Sequence, residues 1–424
     1  MHEDVAYSRT RAAGGRLVRI EAFWNSIQAG GPNSFSWSAL DSHVNLLRAH
    51  GLQPILDIRG TPWWAVHPEA AAYYDTHSPD PPQTAWWPRA DALGAFARKV
   101  AERYNGVVYH YTVWNEPNLT LFLGPQYIGS QLRSAHHYRN MINAAADQIH
   151  AVNPANVVIA GGTAPFGSTD GLQPGPLLFL RTVLEGPVRF DVWGVHPFTS
   201  GAPTRQARRR NDTSLGDLPE VRRTLLNAAA AGRLVSASPV QMWVTEFSWD
   251  TKPPDPRGVP TSLHVRWTAE ALYRSWRAGS PVVLWTQLRD HPYACSPWQA
   301  GLYYYGSGGG AGGVPKPSLA AFRFPFVAFS RNGRVSVWGR TPESDSRRVV
   351  IERRTSRGWR GVRTLRATGE GIFSARWRMS WRGKMRARLA GTGTRSAVFS
   401  LIPPRTTWEG HPFGGVNNTG GGSC

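Results

Sequence analysis

Over its first 330 residues the chain alternates short apolar runs with longer amphipathic segments, and this rhythm restricts its folding more than any other feature. Strands joined through helices run parallel, and a parallel sheet needs helices to cover its faces. The pattern predicts strands over Arg16–Ile20, Leu52–Ile58, Tyr109–Trp114, Val157–Ala160, Phe190–Val195, Val240–Thr245 and Val282–Thr286. Helices are expected over Trp37–His50, Asp91–Tyr104, Ala135–Val152, Pro176–Leu184, Leu218–Ala231, Ser262–Ala278 and Pro317–Phe329. Past residue 330 the rhythm changes. Val335–Gly339, Arg348–Glu352 and Ala397–Leu401 are short strand segments separated by turns such as Arg357-Gly358 and Gly369–Gly371. Regular short strands of this kind predict a small β-sandwich over 331–402. Residues 403–424 are rich in Pro, Thr and Gly and are expected to form an unstructured tail. Gly306–Gly313 reads as a flexible loop in the last connection of the first domain.

Two of the strand segments end in a glutamate. Val113-Trp114-Asn115-Glu116-Pro117-Asn118 follows an alternating aromatic run, and Pro117 stops the strand because it has no N–H to donate. Glu116 is therefore held where a rigid strand gives way to a loop. Gln241-Met242-Trp243-Val244-Thr245-Glu246-Phe247 repeats the layout, with an acid at the C-terminal end of an apolar run. Two strand-end carboxylates in one α/β domain point to a pair facing one cleft. Glycoside hydrolysis uses such a pair, one as acid and one as base or nucleophile.

Trp-Asn-Glu-Pro-Asn with a later Trp-Val-Thr-Glu-Phe resembles clan A of the glycoside hydrolases, near families 5 and 39. The resemblance covers roughly residues 1–328. It implies a (β/α)8 TIM barrel, with the acid/base after strand four and the nucleophile after strand seven. In that order Arg16–Ile20 is the second strand and residues 1–13 the first helix. Only seven strand segments are visible, so the barrel is expected to lack its first strand at the N-terminus and to be open between Arg16–Ile20 and Val282–Thr286.

In such a barrel the site lies at the C-terminal ends of the strands. Glu116 corresponds to the acid/base and Glu246 to the nucleophile, which makes a retaining O-glycoside hydrolase the expected activity. Arg19 ends its strand where the resembling families place an Arg that bonds the nucleophile and keeps it ionised. Asn115 is expected to bond the sugar's 2-hydroxyl. His196, in Val195-His196-Pro197-Phe198, resembles the clan's His-x-Tyr element with Phe198 in place of the Tyr. Trp285 matches the Trp that floors the sugar site. Trp63, Trp64, Trp86, Trp87, Trp249 and Trp298 follow strands, where each serves either as a sugar platform or as loop packing.

The rival is a barrel that has lost activity and acts as a carbohydrate-binding or cell-wall interaction protein. Phe198 and the missing strand favour it, and the intact Glu116 and Glu246 oppose it. The formal charge of +20 raises a nucleic-acid reading. Four lysines against 44 arginines point instead to coding bias, and no recognition motif accompanies the charge. Most of the excess lies in 331–401, which holds 18 basic and four acidic residues. That patch suits either a solvated surface or contact with an acidic polymer. No Ser-His-Asp order, phosphate loop or zinc spacing stands out, so neither metal nor cofactor is called for. Cys295 and Cys424 are too few for a disulfide framework. No apolar run is long enough for a transmembrane helix, and no signal peptide is visible. The resemblance nonetheless implies an extracellular enzyme acting on a carbohydrate substrate.

Overall fold

The computed structural model describes residues 3–77, 81–293, 296, 298–306, 313–342, 347–404 and 406–410. Cys295, Cys424, most of the Gly306–Gly313 loop and residues 411–424 lie outside the described residues. Seven parallel strands form one curled sheet: β1 (Leu17–Phe23), β2 (Gln53–Arg59), β3 (His110–Val113), β4 (Val157–Thr163), β5 (Val192–Val195), β6 (Gln241–Phe247) and β7 (Val283–Trp285). They pair in chain order, with β1 and β7 as the two edges among the described residues. A helix, Glu3–Ala12, precedes β1. The curled parallel sheet with its outer helices is a TIM-barrel architecture.

The helices cover the outer face because their apolar residues recur at helical spacing. In Ala90–Arg103, residues Leu93, Phe96, Ala97, Val100 and Ala101 are all buried on one side. They meet Leu56, Ile58, Tyr111 and Val113, the outward residues of β2 and β3, in a single core. The other strand face turns inward. Its lower level is filled by Ile55, Ile159, Val192 and Trp243, with Leu17, Val157, Val282 and Leu284 at the margins. Strand residues two apart share a face. One level higher, therefore, the inward positions are Arg19, Asp57, Thr112, Gly161, Gly194 and Thr245. The barrel interior thus changes from apolar to polar and glycine toward the C-terminal ends of its strands.

The helix expected over Pro317–Phe329 covers only Ser318–Arg323. Pro325 removes a backbone donor, and the chain continues as the strand Phe326–Arg331. That strand belongs to the C-terminal unit. It pairs with Arg334–Arg340, which pairs in turn with Ile372–Arg378. A second antiparallel sheet is ordered Gly358–Arg366, Arg348–Thr355, Lys384–Leu389, Phe399–Ser400. Val335, Val337, Val349, Ile351, Phe373, Met385 and Leu389 form the core between the sheets. The unit rests on the barrel helix Thr261–Arg277, where Trp338 meets Tyr273 and Trp276 with ring centroids 5.5 Å apart in each pair. Part of the stretch read as a tail also docks. The Trp408 indole donates to the Arg257 carbonyl at 2.8 Å and lies 6.2 Å from the Trp267 ring. No helix among the described residues is long and apolar enough to cross a membrane.

Candidate active site

The loop after β3 is built around two strained residues. Trp114 and Glu116 both have positive φ, 73° and 41°, which side chains other than glycine rarely adopt. The surroundings hold them there. The buried Trp114 indole donates to the Phe122 carbonyl at 2.7 Å, and the Trp114 amide to Ile58 O at 3.0 Å. Asn118 is fully buried and braces the loop against the one after β4: its amide donates to Ala164 O at 3.2 Å and its oxygen accepts from the Ala164 amide at 2.8 Å. Trp114 and Asn118 are therefore anchors, and they leave Asn115 and Glu116 facing the barrel mouth.

A second contribution comes from β4. The Glu116 amide donates to Gly162 O at 3.0 Å. Gly161 and Gly162 have φ of +84° and +59°, and the β4–β5 register slips there. A Cβ on Gly162 would stand 3.3 Å from His196 Nε2. A glycine inside a strand pattern marks a bulge or a close approach. The Gly161-Gly162 pair lies just past the strand expected over Val157–Ala160, and it is the sign in the sequence that the chain passes close to a site residue there.

The structure brings Arg19, Asn115, Glu116, His196 and Glu246 together. His196 is fully buried and stands between the two carboxylates. Its Nδ1 lies 2.9 Å from Glu116 Oε1 and its Nε2 3.7 Å from Glu246 Oε1. The first is a hydrogen bond and the second a charge contact. Arg19 donates to Glu246 Oε1 through one guanidinium nitrogen and to Asn115 Oδ1, at 3.3 Å, through the other. Burial alone would raise the Glu246 pKa. The neighbouring His196 and Arg19, and the Arg19 hydrogen bond, outweigh it and hold Glu246 below the usual carboxylate range. The two carboxylates therefore share a cleft but not an environment, since only Glu246 is tied to a permanent cation.

Trp285 ends β7 and is half-buried. Its indole donates to Ala300 O at 2.8 Å and packs edge-on against Phe247 and Phe322, with ring centroids 6.2 and 5.8 Å away. Phe198 is buried edge-on to His196 at 6.3 Å and brings no hydroxyl to the carboxylates. The loop tryptophans sort by exposure. Trp87 and Trp249 are buried and serve packing, the first stacked on His137 and the second against Phe247 and Trp267. Trp63 is 65% exposed, open to a ligand.

Two features escape a sequence reading. Asp57 lies fully buried on β2, with Arg59 Nε 3.6 Å from Oδ2 and, among the described residues, no hydrogen bond to either oxygen. Burial pushes its pKa up to about 6, against the pull of Arg19 and Arg59. Lys316 is also buried, and its ammonium donates to Asp290 Oδ1, Thr251 Oγ1 and Gln299 O, each at 2.7 Å. The apolar strand segment Leu52–Ile58 places Asp57 in the sheet without naming what it faces, and nothing around Lys316 marks it as interior.

The profile of Glycosyl hydrolases family 39 matches residues 2–262, a stretch holding Arg19, Asn115, Glu116, His196 and Glu246. No curated protein sequence matches the chain. Among solved structures, the chain is similar to a family 39 glycoside hydrolase from the gut symbiont Bacteroides cellulosilyticus WH2. They share 15% identity at a TM-score of 0.55, over 88% of this chain and 76% of that one. A monomeric beta-xylosidase from Caulobacter crescentus CB15 gives 17% identity and a TM-score of 0.51, over 89% and 90% of the two chains. The GH39 enzyme from Xanthomonas axonopodis pv. citri gives 16% and 0.51, over 89% and 88%. At these identities the structural likeness speaks for the fold, and the profile speaks for the family. With its match spanning well over half of the chain, the protein belongs to glycosyl hydrolases family 39 and is a glycosidase.

Proposed function

We propose that this glycosidase works with retention, using Glu246 as nucleophile and Glu116 as acid/base. The observation that carries the reading is the asymmetry across His196: both glutamates reach one imidazole, and only Glu246 is held by Arg19. An ionised carboxylate is the form that attacks an anomeric carbon. Glu116 gives its proton to the departing glycosidic oxygen, leaving a glycosyl ester on Glu246. It then takes a proton from the water that attacks the ester, and the second inversion restores the original anomer. Arg19 keeps Glu246 ionised before attack. It also orients the Asn115 amide, because the Asn115 oxygen is occupied by Arg19. The Asn115 Nδ2 is thereby the group left to donate to the sugar's 2-hydroxyl. Trp285 offers an indole face beneath the ring. Retention calls for carboxyl groups about 5–5.5 Å apart, against about 6.5–9.5 Å for inversion.

The β-xylosidase likeness names the first sugar to try. The test is a panel of aryl glycosides, led by the β-xyloside, with wild type and Glu246→Ala. Wild type should release product of unchanged anomeric configuration, as seen by NMR. Glu246→Ala should lose turnover and recover it partly with azide, giving the glycosyl azide of opposite configuration. Direct release of the opposite anomer by wild type would mean that Glu246 activates water instead.

A further inference from the structure

The C-terminal unit carries most of the chain's excess charge, and the structure arranges that charge on one sheet face. In the four-stranded sheet Val349, Ile351, Met385, Ala387 and Leu389 point into the core. Strand alternation and register then set Arg348, Arg354, Arg366, Lys384, Arg386 and Arg388 on the opposite face. Among the described residues the only carboxylate there is Glu352. It is already bonded by Arg386 Nε and Arg388 Nε at 2.7 Å each. Arg348 pairs across the strands with Arg366, so two basic residues stand opposite each other at one end. Like charges opposed across strands are destabilising. Their juxtaposition is a feature that folding alone does not explain.

We propose that this face binds an acidic polysaccharide through its sugar carboxylates and holds the glycosidase on a uronate-containing polymer. The basic groups repeat about 4.8 Å apart across strands and about 6.8 Å apart along them, a spread of charge that meets a repeating polyanion. Guanidiniums also match carboxylates in planar, two-point hydrogen bonds. Single-stranded nucleic acid needs open aromatic faces for its bases. The tryptophan of this face, Trp359, already has the Arg386 guanidinium 4.1 Å from its ring centre and that of Arg354 at 5.7 Å. None of the residues of this face belongs to the barrel site.

The experiment measures binding of the full-length protein to polygalacturonate, neutral xylan and duplex DNA, for wild type and for Arg348→Gln/Arg354→Gln/Arg366→Gln. A barrel-surface control carries Arg98→Gln/Arg277→Gln. Wild type and control should bind polygalacturonate alike and xylan far more weakly. Affinity should fall about tenfold or more between 50 and 200 mM salt, as expected for exposed charge contacts. The triple variant should bind at least about tenfold more weakly while keeping wild-type turnover of a small aryl glycoside. The proposal is overturned if wild type does not bind polygalacturonate at 50 mM salt, or if the triple variant binds as tightly as wild type. It is equally overturned if duplex DNA binds as tightly as the polyuronate, which would make the face a phosphate-binding one.

Discussion

Replacing Lys316 by Met tests how Trp285, proposed above to lie beneath the sugar, is held in place. The ammonium binds Gln299 O, and the Asp290 carboxylate accepts from the Gly301 amide at 2.8 Å. Ala300, between them, gives its carbonyl to the Trp285 indole. The buried ion pair thus clamps the three-residue segment that orients Trp285. Burial lowers the Lys316 pKa and raises that of Asp290, against their mutual attraction, so neither charge belongs there without the other. Removing one partner of such a pair costs about 3–5 kcal/mol, because the other is left buried and uncompensated. An unfolding entropy near 2.1 cal/mol/K per residue gives a chain of this length about 0.9 kcal/mol per degree. The melting temperature of Lys316→Met should therefore fall by roughly 3–6 °C in scanning calorimetry. Lys316→Met/Asp290→Asn, which leaves no buried charge and keeps an acceptor for Gly301, should recover most of that loss. With Trp285 freed to turn, kcat/KM for an aryl glycoside should drop at least about tenfold in Lys316→Met, since a shift of about 1 Å near the reacting centre can cost about 100-fold. A variant that melts within about 1 °C of wild type and turns over normally would refute the clamp.

Other outcomes follow from the same geometry. Glu116→Gln should lower kcat by about 100- to 10,000-fold on a glycoside with a poor leaving group, and by less on an activated aryl glycoside, because only the former needs the proton. Equal losses on both would remove Glu116 from the acid role. Asp57 binds its proton more tightly folded than unfolded, with a folded pKa of about 6 against 3.8. The folded protein thus holds more protons between those values, and this group's contribution to stability declines as pH rises from about 4 to 6 and stays low above that. Asp57→Asn should flatten that decline and be more stable relative to wild type at pH 7 than at pH 4, by at most about 3 kcal/mol; denaturant titrations at the two pH values measure it. Gly162→Ala should lose about 1–2 kcal/mol from its left-handed backbone. It should also lower kcat with little change in KM for a small substrate, because the new methyl crowds His196 Nε2.

The periodicity of the first 330 residues determined the parallel sheet, and it located all seven strands and six of the seven expected helices to within a few residues. The reason is local: a helix or strand that buries one face must show it in its own spacing. The two strand-end glutamates were legible for the same reason, since the motif and the strand's end lie within one short segment. Pro317–Phe329 misled because an aromatic run fits a helix face and a buried strand equally well, and the next sheet decided between them. What tertiary structure alone decided is what lies across the barrel from what. His196 bridges Glu116 and Glu246 because β3, β5 and β6 point their ends at one axis. Trp87 and Trp249 became core while Trp63 stayed open, though all three follow strands. Asp57 sits in an apolar strand segment and Lys316 among Gly and Pro, and neither context names the partners of a buried charge. Their environments come in large part from residues far along the chain, Arg19 for the first, Thr251, Asp290 and Gln299 for the second. Charge compensation of that kind is a property of neighbours in space, and one segment of sequence carries no record of them.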